Sequence, residues 1–165
     1  MHEFAISSSG PTDTLYKDLA SAAEALVADE PDHIANMANI SALIWQYLPD
    51  LNWAGFYRVI EDELVLGPFQ GKTACIRIAI GKGVCGTAAV TGEAQRVADV
   101  HAFPGHIACD ADSRSELVLP VKHDGKVVAV LDLDSPSPDR FSMDDQTGLE
   151  TLINSITPAL MSKAE

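Results

Sequence analysis

The sequence predicts an α+β fold, in which helices at both ends of the chain flank a mostly antiparallel sheet. Three observations support this: helical periodicity in the first third and near the C-terminus, period-2 alternation in the middle, and an Asp-Gly hairpin signal in the last third. Because helices and strands are grouped along the chain, a βαβ repeat is not expected. The 165 residues contain no repeat or low-complexity linker. We therefore expect a single domain over residues 1–165, with 1–10 as a loose N-terminal segment.

Three helices are expected. Residues 12–28 are rich in Ala and Leu, which favours a first helix. Pro31 opens a second helix that ends before Pro49, and its apolar residues recur at helical spacing. Ser142, followed by acidic residues, is typical of the start of a C-terminal helix. The apolar residues of the second helix are Ile34, Met37, Ile40, Leu43 and Ile44.

Strand signals fill the middle of the chain. They combine β-branched and aromatic composition with alternation, and the last two strands are joined through Asp124-Gly125. Cys75 begins the third strand and can be purely structural. A Gly-rich segment, 81–86, leads into a short helical stretch at 87–90, and 100–115 is expected to be a loop. The predicted strands are residues 52–60, 64–66, 75–80, 96–100, 116–122 and 126–134.

The composition excludes several classes of function. A net charge of −13, from 24 acidic and 11 basic residues, argues against binding nucleic acids or anionic membranes. No stretch approaches the roughly 18 apolar residues of a membrane span, and residues 1–10 lack the pattern of a secretory signal. Three cysteines, an odd number, fit poorly with a secreted disulfide framework. We therefore expect a cytoplasmic protein.

Two carboxylates share one face of the last predicted strand. Alternation places Asp132 and Asp134 on the same side as Val128 and Val130, and Val127 with Ala129 on the other. If this face is covered, the carboxylates are desolvated and need compensation. If the strand end reaches solvent, they simply flank a turn. The sequence leaves both alternatives open.

An aromatic pair occupies one face of the first predicted strand. Trp53, Gly55 and Tyr57 alternate with residues on the opposite face. The glycine between two large rings can form a notch in an aromatic wall that contacts a ligand. The alternative is that both rings belong to the hydrophobic core.

Each cysteine can be either a buried apolar residue or a reactive thiol. Cys85 lies in the Gly-rich segment before a helix start, where a helix N-terminus lowers the pKa of a thiol. Cys109 lies in a polar loop, where His106 and Arg114 favour its thiolate and Asp110 and Asp112 oppose it. The three cysteines with His101 or His106 have the ligand types of a zinc site, but no Cys-x-x-Cys pair is present. We therefore expect no metal.

Several segments together carry a resemblance to a known family. The three cysteines are spaced by ten and then twenty-four positions, at 75, 85 and 109. With the surrounding segments, this spacing resembles that of the free methionine-(R)-sulfoxide reductases, which are single GAF-domain enzymes. The segments are Asn-Trp-Ala-Gly-Phe-Tyr at 52–57, Gly-Pro-Phe-Gln-Gly-Lys at 67–72, Cys75, Gly-Val-Cys-Gly at 83–86, the loop 106–116 and Asp-Leu-Asp-Ser at 132–135.

The resemblance implies a GAF fold with a six-stranded antiparallel sheet, and a closed pocket under the loop 101–115. It also implies an oxidoreductase that repairs oxidised methionine by reducing free L-methionine (R)-sulfoxide to L-methionine. The reaction passes through a sulfenic acid and an intramolecular disulfide, uses no cofactor, and is recycled by thioredoxin as external reductant. A homodimer is a further implication.

The resemblance also assigns roles to residues. Cys109 is the expected nucleophile and Cys75 the resolving cysteine, while Cys85 is an alternative nucleophile or a third redox cysteine. Physical chemistry alone favours Cys85, because of its position at a helix start. A buried carboxyl group kept neutral can protonate the sulfoxide oxygen, and Glu116 is the candidate acid. The residues expected to bind the substrate are Trp53, Tyr57, Glu116, Asp132 and Asp134.

Two rival functions involve no turnover. A GAF domain can act as a sensor that binds a small molecule, and the cysteines can report oxidant as a redox sensor. The small-molecule sensor has no need for three cysteines or a carboxylate cluster. The discriminating observation is catalytic loss of methionine (R)-sulfoxide in the presence of a dithiol.

Overall fold

Residues 4–6, 12–105 and 110–161 are described by the structure, a computed structural model. Within these residues the chain forms four α-helices, six β-strands and two short 3₁₀ helices. In chain order they are α1 (Thr12–Val27), α2 (His33–Tyr47), β1 (Trp53–Ile60), β2 (Glu63–Gly71), β3 (Arg77–Ala79), α3 (Gly83–Thr91), β4 (Gln95–Val97), a 3₁₀ helix (Val100–Ala102), β5 (Ser115–His123), β6 (Lys126–Ser135), α4 (Met143–Ile156) and a 3₁₀ helix (Thr157–Leu160).

The six strands form one sheet in the order β3-β2-β1-β6-β5-β4, and every neighbouring pair is antiparallel. The layer of α1, α2 and α4 covers one face, which we call the three-helix face, and α3 covers the other, the α3 face. The predicted α+β fold with a six-stranded antiparallel sheet is therefore confirmed.

A bulge changes the alternation of β6 near its start. Val121 lies opposite Ala129, but the next residue, Lys122, lies opposite Val127, so Val128 is an extra residue in the ladder. Val127 consequently packs on the α3 face and Val128 on the three-helix face. The sequence-based assignment of these two valines was wrong, because strict period-2 alternation does not anticipate a bulge.

Helix ends follow local capping chemistry. The side chain of Asp32 accepts a hydrogen bond from the Ala35 amide, so α2 begins at His33, after Pro31. Ser142 and Asp145 form a capping box at the start of α4, as the sequence predicted. Asp145 is buried and also accepts from the Tyr16 hydroxyl at 2.5 Å, which ties α1 to α4.

The segment around Cys75 and Cys85 differs from its predicted structure. β3 begins only at Arg77, so Cys75 precedes the strand and does not start it. α3 begins at Gly83 instead of residue 87, which places Cys85 within its first turn. A Cβ on Gly86 would lie 2.6 Å from the Ala79 carbonyl oxygen, so this glycine allows α3 to approach β3 closely.

The chain ends add contacts to the three-helix face. Phe4 and Ile6 pack against its core, and the Tyr47 hydroxyl donates to the Phe4 carbonyl oxygen at 3.0 Å. The other residues of the segment predicted to be loose lie outside the described part, apart from Ala5. Among the described helices, none is long and apolar enough to cross a membrane.

Candidate active site

Three carboxyl groups gather on the α3 face of the sheet. Glu116 on β5 lies directly opposite Asp134 on β6. Two residues farther along β5, Val118 lies opposite Asp132. Glu116 and Asp132 are each only 6% exposed, and Asp134 is partly buried. Of the two alternatives left open by the sequence, the covered face is therefore correct, because α3 packs over these strands.

Cys85 joins this cluster from the first turn of α3. Its thiol donates to Glu116 Oε1 at 3.9 Å. One donor atom from each of Cys85, Glu116 and Asp132 lies within 4.8 Å of the others, and all three residues are buried. The cluster therefore combines a thiol with carboxyl groups that can exchange protons or bind a cation.

Burial determines the protonation of the carboxyl groups. It raises the pKa of Glu116 well above its usual range, and the charges of Asp132 and Asp134 raise it further. Burial also raises the pKa of Asp134. The pKa of Asp132 rises to about 6, less than burial alone would give, because the neighbouring Cys85 and Glu116 side chains lower it. Burial thus favours the protonated, neutral form of Glu116.

The same environment keeps Cys85 protonated. Burial, followed by the charges of Asp132 and Glu116, raises the pKa of its thiol well above the usual value. The sequence-based expectation that the helix start lowers this pKa was wrong, because desolvation and neighbouring carboxylates outweigh the helix N-terminus.

The aromatic wall is a stacked trio. Trp53 stacks on Tyr57 at 5.8 Å and on Phe69 at 5.1 Å between ring centroids. A Cβ on Gly55 would lie 2.3 Å from the Phe69 Cβ, so the Phe69 side of β2 packs directly on Gly55. The predicted notch is therefore filled by Phe69 and is not available to a ligand.

The polar atoms of Trp53 and Tyr57 bind the backbone of the segment between β2 and β3. The Trp53 indole donates to the Lys72 carbonyl oxygen at 3.1 Å, and the Tyr57 hydroxyl donates to that of Cys75 at 3.0 Å. Cys75 is disulfide-bonded, whereas Cys85 has a free thiol. The two described cysteines thus differ in redox state as well as in position.

A cleft connects the aromatic wall with the carboxyl groups. Its two adjoining cavities share Tyr57, Asp110, Asp132 and Asp134. The first cavity is also lined by Ile78, Lys82, Gly83, Val84, Cys85, Ser113 and Glu116, and the second by Trp53, Thr73 and Ala74. The cleft therefore has an aromatic end and an acidic end.

Comparison with known proteins places the chain in a family. Residues 35–161 match the family model of the GAF domain. The free methionine-R-sulfoxide reductase of Escherichia coli is 50% identical over 88% of this chain and 88% of its own length. The chain belongs to the free methionine-(R)-sulfoxide reductase family. Protein YtsP of Bacillus subtilis is 53% identical over 92% of this chain and 94% of its own. The X-ray structure of the Neisseria meningitidis reductase in complex with its substrate has a TM-score of 0.92 and 41% identity, covering 97% and 96% of the two chains.

Most site residues expected from the reductase resemblance line one cleft. They are Trp53, Tyr57, Cys85, Glu116, Asp132 and Asp134. Cys75 is held beside it through its carbonyl oxygen. Cys109, the expected nucleophile, and His106 lie outside the described residues.

The sequence did not predict the contacts made by the second half of the loop 101–115, from Asp110 to Ser113. The Asn52 side-chain amide donates to Asp110 at 3.1 Å and to the Ser113 hydroxyl at 3.0 Å. The Lys72 ammonium pairs with Asp110 and Asp112. The pKa of Asp110 is lowered, mainly because it accepts the Asp112 backbone amide. Asn52 and Lys72 stand in the segments that carry the resemblance, but nothing in the sequence pairs them with residues about 60 and 40 positions away.

Proposed function

We propose that this chain reduces free L-methionine (R)-sulfoxide to L-methionine. The E. coli relative is named for this activity, and the N. meningitidis structure contains its substrate. The observation that carries the proposal for this chain is the buried carboxyl cluster at one end of a cleft and the aromatic wall at the other.

The carboxyl cluster selects for a substrate with an ammonium group. Among the described residues, no Lys or Arg forms an ion pair with Glu116, Asp132 or Asp134. A buried negative group without a cationic partner is costly, so a cationic ligand gains affinity there. A free amino acid offers its ammonium group, whereas peptide-bound methionine sulfoxide does not. The Trp53 and Tyr57 rings contact the S-methyl end and exclude water.

The first chemical step transfers oxygen from substrate to enzyme. The Cys109 thiolate attacks the sulfoxide sulfur, and Glu116 gives a proton to the sulfoxide oxygen. Oxygen passes to the Cys109 sulfur, so the substrate is reduced by two electrons to methionine and the cysteine is oxidised to a sulfenic acid. The raised pKa of Glu116 supports its role as the acid, because burial favours its protonated form.

The second step closes a disulfide. The Cys75 thiol attacks the sulfenic sulfur of Cys109, a disulfide forms, and water leaves. Two thiols of thioredoxin then reduce this disulfide and become a disulfide themselves. Two properties support Cys75 over Cys85 as the resolving cysteine: Cys75 is disulfide-bonded and Cys85 is a free, buried thiol.

The activity is tested by a stereospecific assay with a dithiol reductant. We expect methionine to be released from the free (R)-sulfoxide, with little turnover of the (S)-epimer or of N-acetylated, amidated methionine sulfoxide. Turnover of the blocked substrate at the same rate would refute selection through the ammonium group. Binding of the free (R)-sulfoxide without any turnover would favour the sensor function.

The nucleophile is tested in a single turnover without reductant. We expect Cys109→Ser to form no methionine and the matched Cys85→Ser to form one methionine per enzyme. One methionine per enzyme from Cys109→Ser would reassign the nucleophile. Mass spectrometry of the wild type after turnover should find a Cys75–Cys109 disulfide and an unmodified Cys85.

The remaining parts of the proposal concern the setting of the enzyme. We place it in the cytoplasm, where thioredoxin is kept reduced, and propose a homodimer as the assembly. Multi-angle light scattering distinguishes a dimer from a monomer. Steady-state turnover with thioredoxin, thioredoxin reductase and NADPH tests the reductant. An enzyme that turns over with a chemical dithiol but not with this thioredoxin system would refute thioredoxin as the reductant.

A further inference from the structure

We propose that Cys85, Glu116 and Asp132 form a binding site for a thiophilic divalent cation of the zinc class. This donor set contains one sulfur and two carboxyl groups, and it is buried in the cleft. Zinc in proteins is bound by such sulfur and oxygen ligands, commonly three from the protein with a fourth position left for water or another ligand.

The distances fit a tetrahedral ion. With Zn–S of about 2.3 Å and Zn–O of about 2.1 Å, tetrahedral angles place sulfur and oxygen about 3.6 Å apart and two oxygens about 3.4 Å apart. The Cys85 sulfur lies 3.9 Å from Glu116 Oε1, and all three donor atoms lie within 4.8 Å of one another. A contraction of about 0.3 Å between Cys85 and Glu116, and of at most about 1.4 Å for the other pairs, completes the coordination through side-chain rotation.

An independent observation points to a missing partner at this position. Asp132 is 6% exposed, and its Oδ1 atom is buried with no hydrogen-bond partner. Buried polar atoms are nearly always satisfied, and an exception in a native structure requires an explanation. A cation bound between Asp132 and its two neighbours would satisfy this atom, which no described donor does.

The sulfur ligand determines the class of cation. Thiolates prefer zinc and cadmium, whereas magnesium and calcium prefer oxygen ligands alone. Binding exchanges the thiol proton of Cys85 for a metal–sulfur bond, and the proton is released to solvent. The cleft gives the ion a route of entry, because all three ligands line it.

This site differs from the zinc arrangement considered from the sequence. That arrangement needed all three cysteines with a histidine, whereas this one uses a single cysteine and two carboxyl groups from β5 and β6. The cation would occupy the place proposed for the substrate's ammonium group. This consequence rests on the proposed function, and it makes the ion a competitive inhibitor.

Cadmium is a suitable probe, because its bond to a thiolate gives an ultraviolet charge-transfer band. We would titrate the oxidised protein, in which Cys75 is disulfide-bonded and contributes no thiolate. One equivalent of Cd²⁺ should produce the band, and Zn²⁺ should displace it while Mg²⁺ does not. Cys85→Ser should abolish the band. Asp132→Asn, which keeps the thiol, should weaken binding at least tenfold. The control Glu93→Gln, at an exposed residue outside the cleft, should bind like the wild type.

Several results would overturn the site. They are a band that persists in Cys85→Ser, Asp132→Asn binding as tightly as the wild type, or no saturable binding by the folded wild type. Circular dichroism confirms that each variant is folded. The readout is spectroscopic, so an inactive protein that binds Cd²⁺ refutes only the proposed function, and an active protein that does not bind refutes only the site.

Discussion

Replacing Asp132 by Asn should stabilise the protein at neutral pH. Asp132 is buried beside two other carboxyl groups, and its pKa in the folded protein is about 6, against 3.8 as an isolated group. A carboxyl group whose pKa is raised on folding favours the folded state only while it is protonated. Its contribution is therefore complete below pH 3.8 and is lost as the pH rises through 6. Asn is close in size and does not ionise.

The size of the effect follows from the two pKa values. The rise from 3.8 to about 6 corresponds to about 3 kcal/mol at pH 7.5. About half of this is lost between pH 5 and pH 7.5, and the rest below pH 5. Removing the charge also relieves Glu116 and Asp134, whose pKa values it raises. The free energy of unfolding of Asp132→Asn, relative to the wild type, should therefore increase by at least about 1 kcal/mol from pH 5 to pH 7.5.

Urea denaturation at pH 5 and pH 7.5 measures this change. Wild type and variant are compared under oxidising conditions, so that the Cys75 disulfide is present in both. Comparing the two pH values cancels any packing cost of the amide, because this cost is the same at both. The exposed Asp29→Asn serves as the control and should show no such growth. A stability difference between Asp132→Asn and wild type that is equal at the two pH values would refute the reasoning.

Three further substitutions test other contacts of the fold and the site. Gly55→Ala places a Cβ 2.3 Å from that of Phe69, and overpacking of this kind should cost about 1–3 kcal/mol in urea denaturation. Tyr16→Phe removes a buried hydrogen bond to Asp145 and should cost about 1.5–3 kcal/mol in the same assay, while activity is retained. Asn52→Ala removes both side-chain bonds to the loop end and should lower kcat/KM about tenfold with little loss of stability. Unchanged kcat/KM would show that the loop end is held without it.

Local patterns were sufficient to predict the hairpin and the shared face of its carboxylates. Asp124-Gly125 and the alternation along β6 are properties of neighbouring residues, and the structure places Asp132 and Asp134 on one face as expected. The bulge at Val128 reverses only the residues before it. The face of β6 on which the two carboxylates lie was therefore predictable. The faces of Val127 and Val128, at the start of the strand, were not.

Properties that depend on distant contacts were not predictable. The early start of α3 depends on Gly86 lying against the Ala79 carbonyl oxygen, which is a packing relation between two elements. The contacts of Asn52 and Lys72 with the loop end also join distant positions. The error about Cys85 has the same origin, because a helix start can be read from the sequence and its burial under carboxyl groups cannot.

Burial raises the pKa of both the carboxyl groups and the thiol in this cluster, but the consequence for function differs between them. For Glu116, a raised pKa favours the protonated form, which suits a general acid. For Cys85, a raised pKa removes the thiolate, which a nucleophile requires. The raised pKa of the Cys85 thiol therefore supports the proposal that Cys109, and not Cys85, is the nucleophile. Cys85 then remains a thiol beside two carboxyl groups. A thiophilic cation would convert it to a metal ligand by displacing the thiol proton.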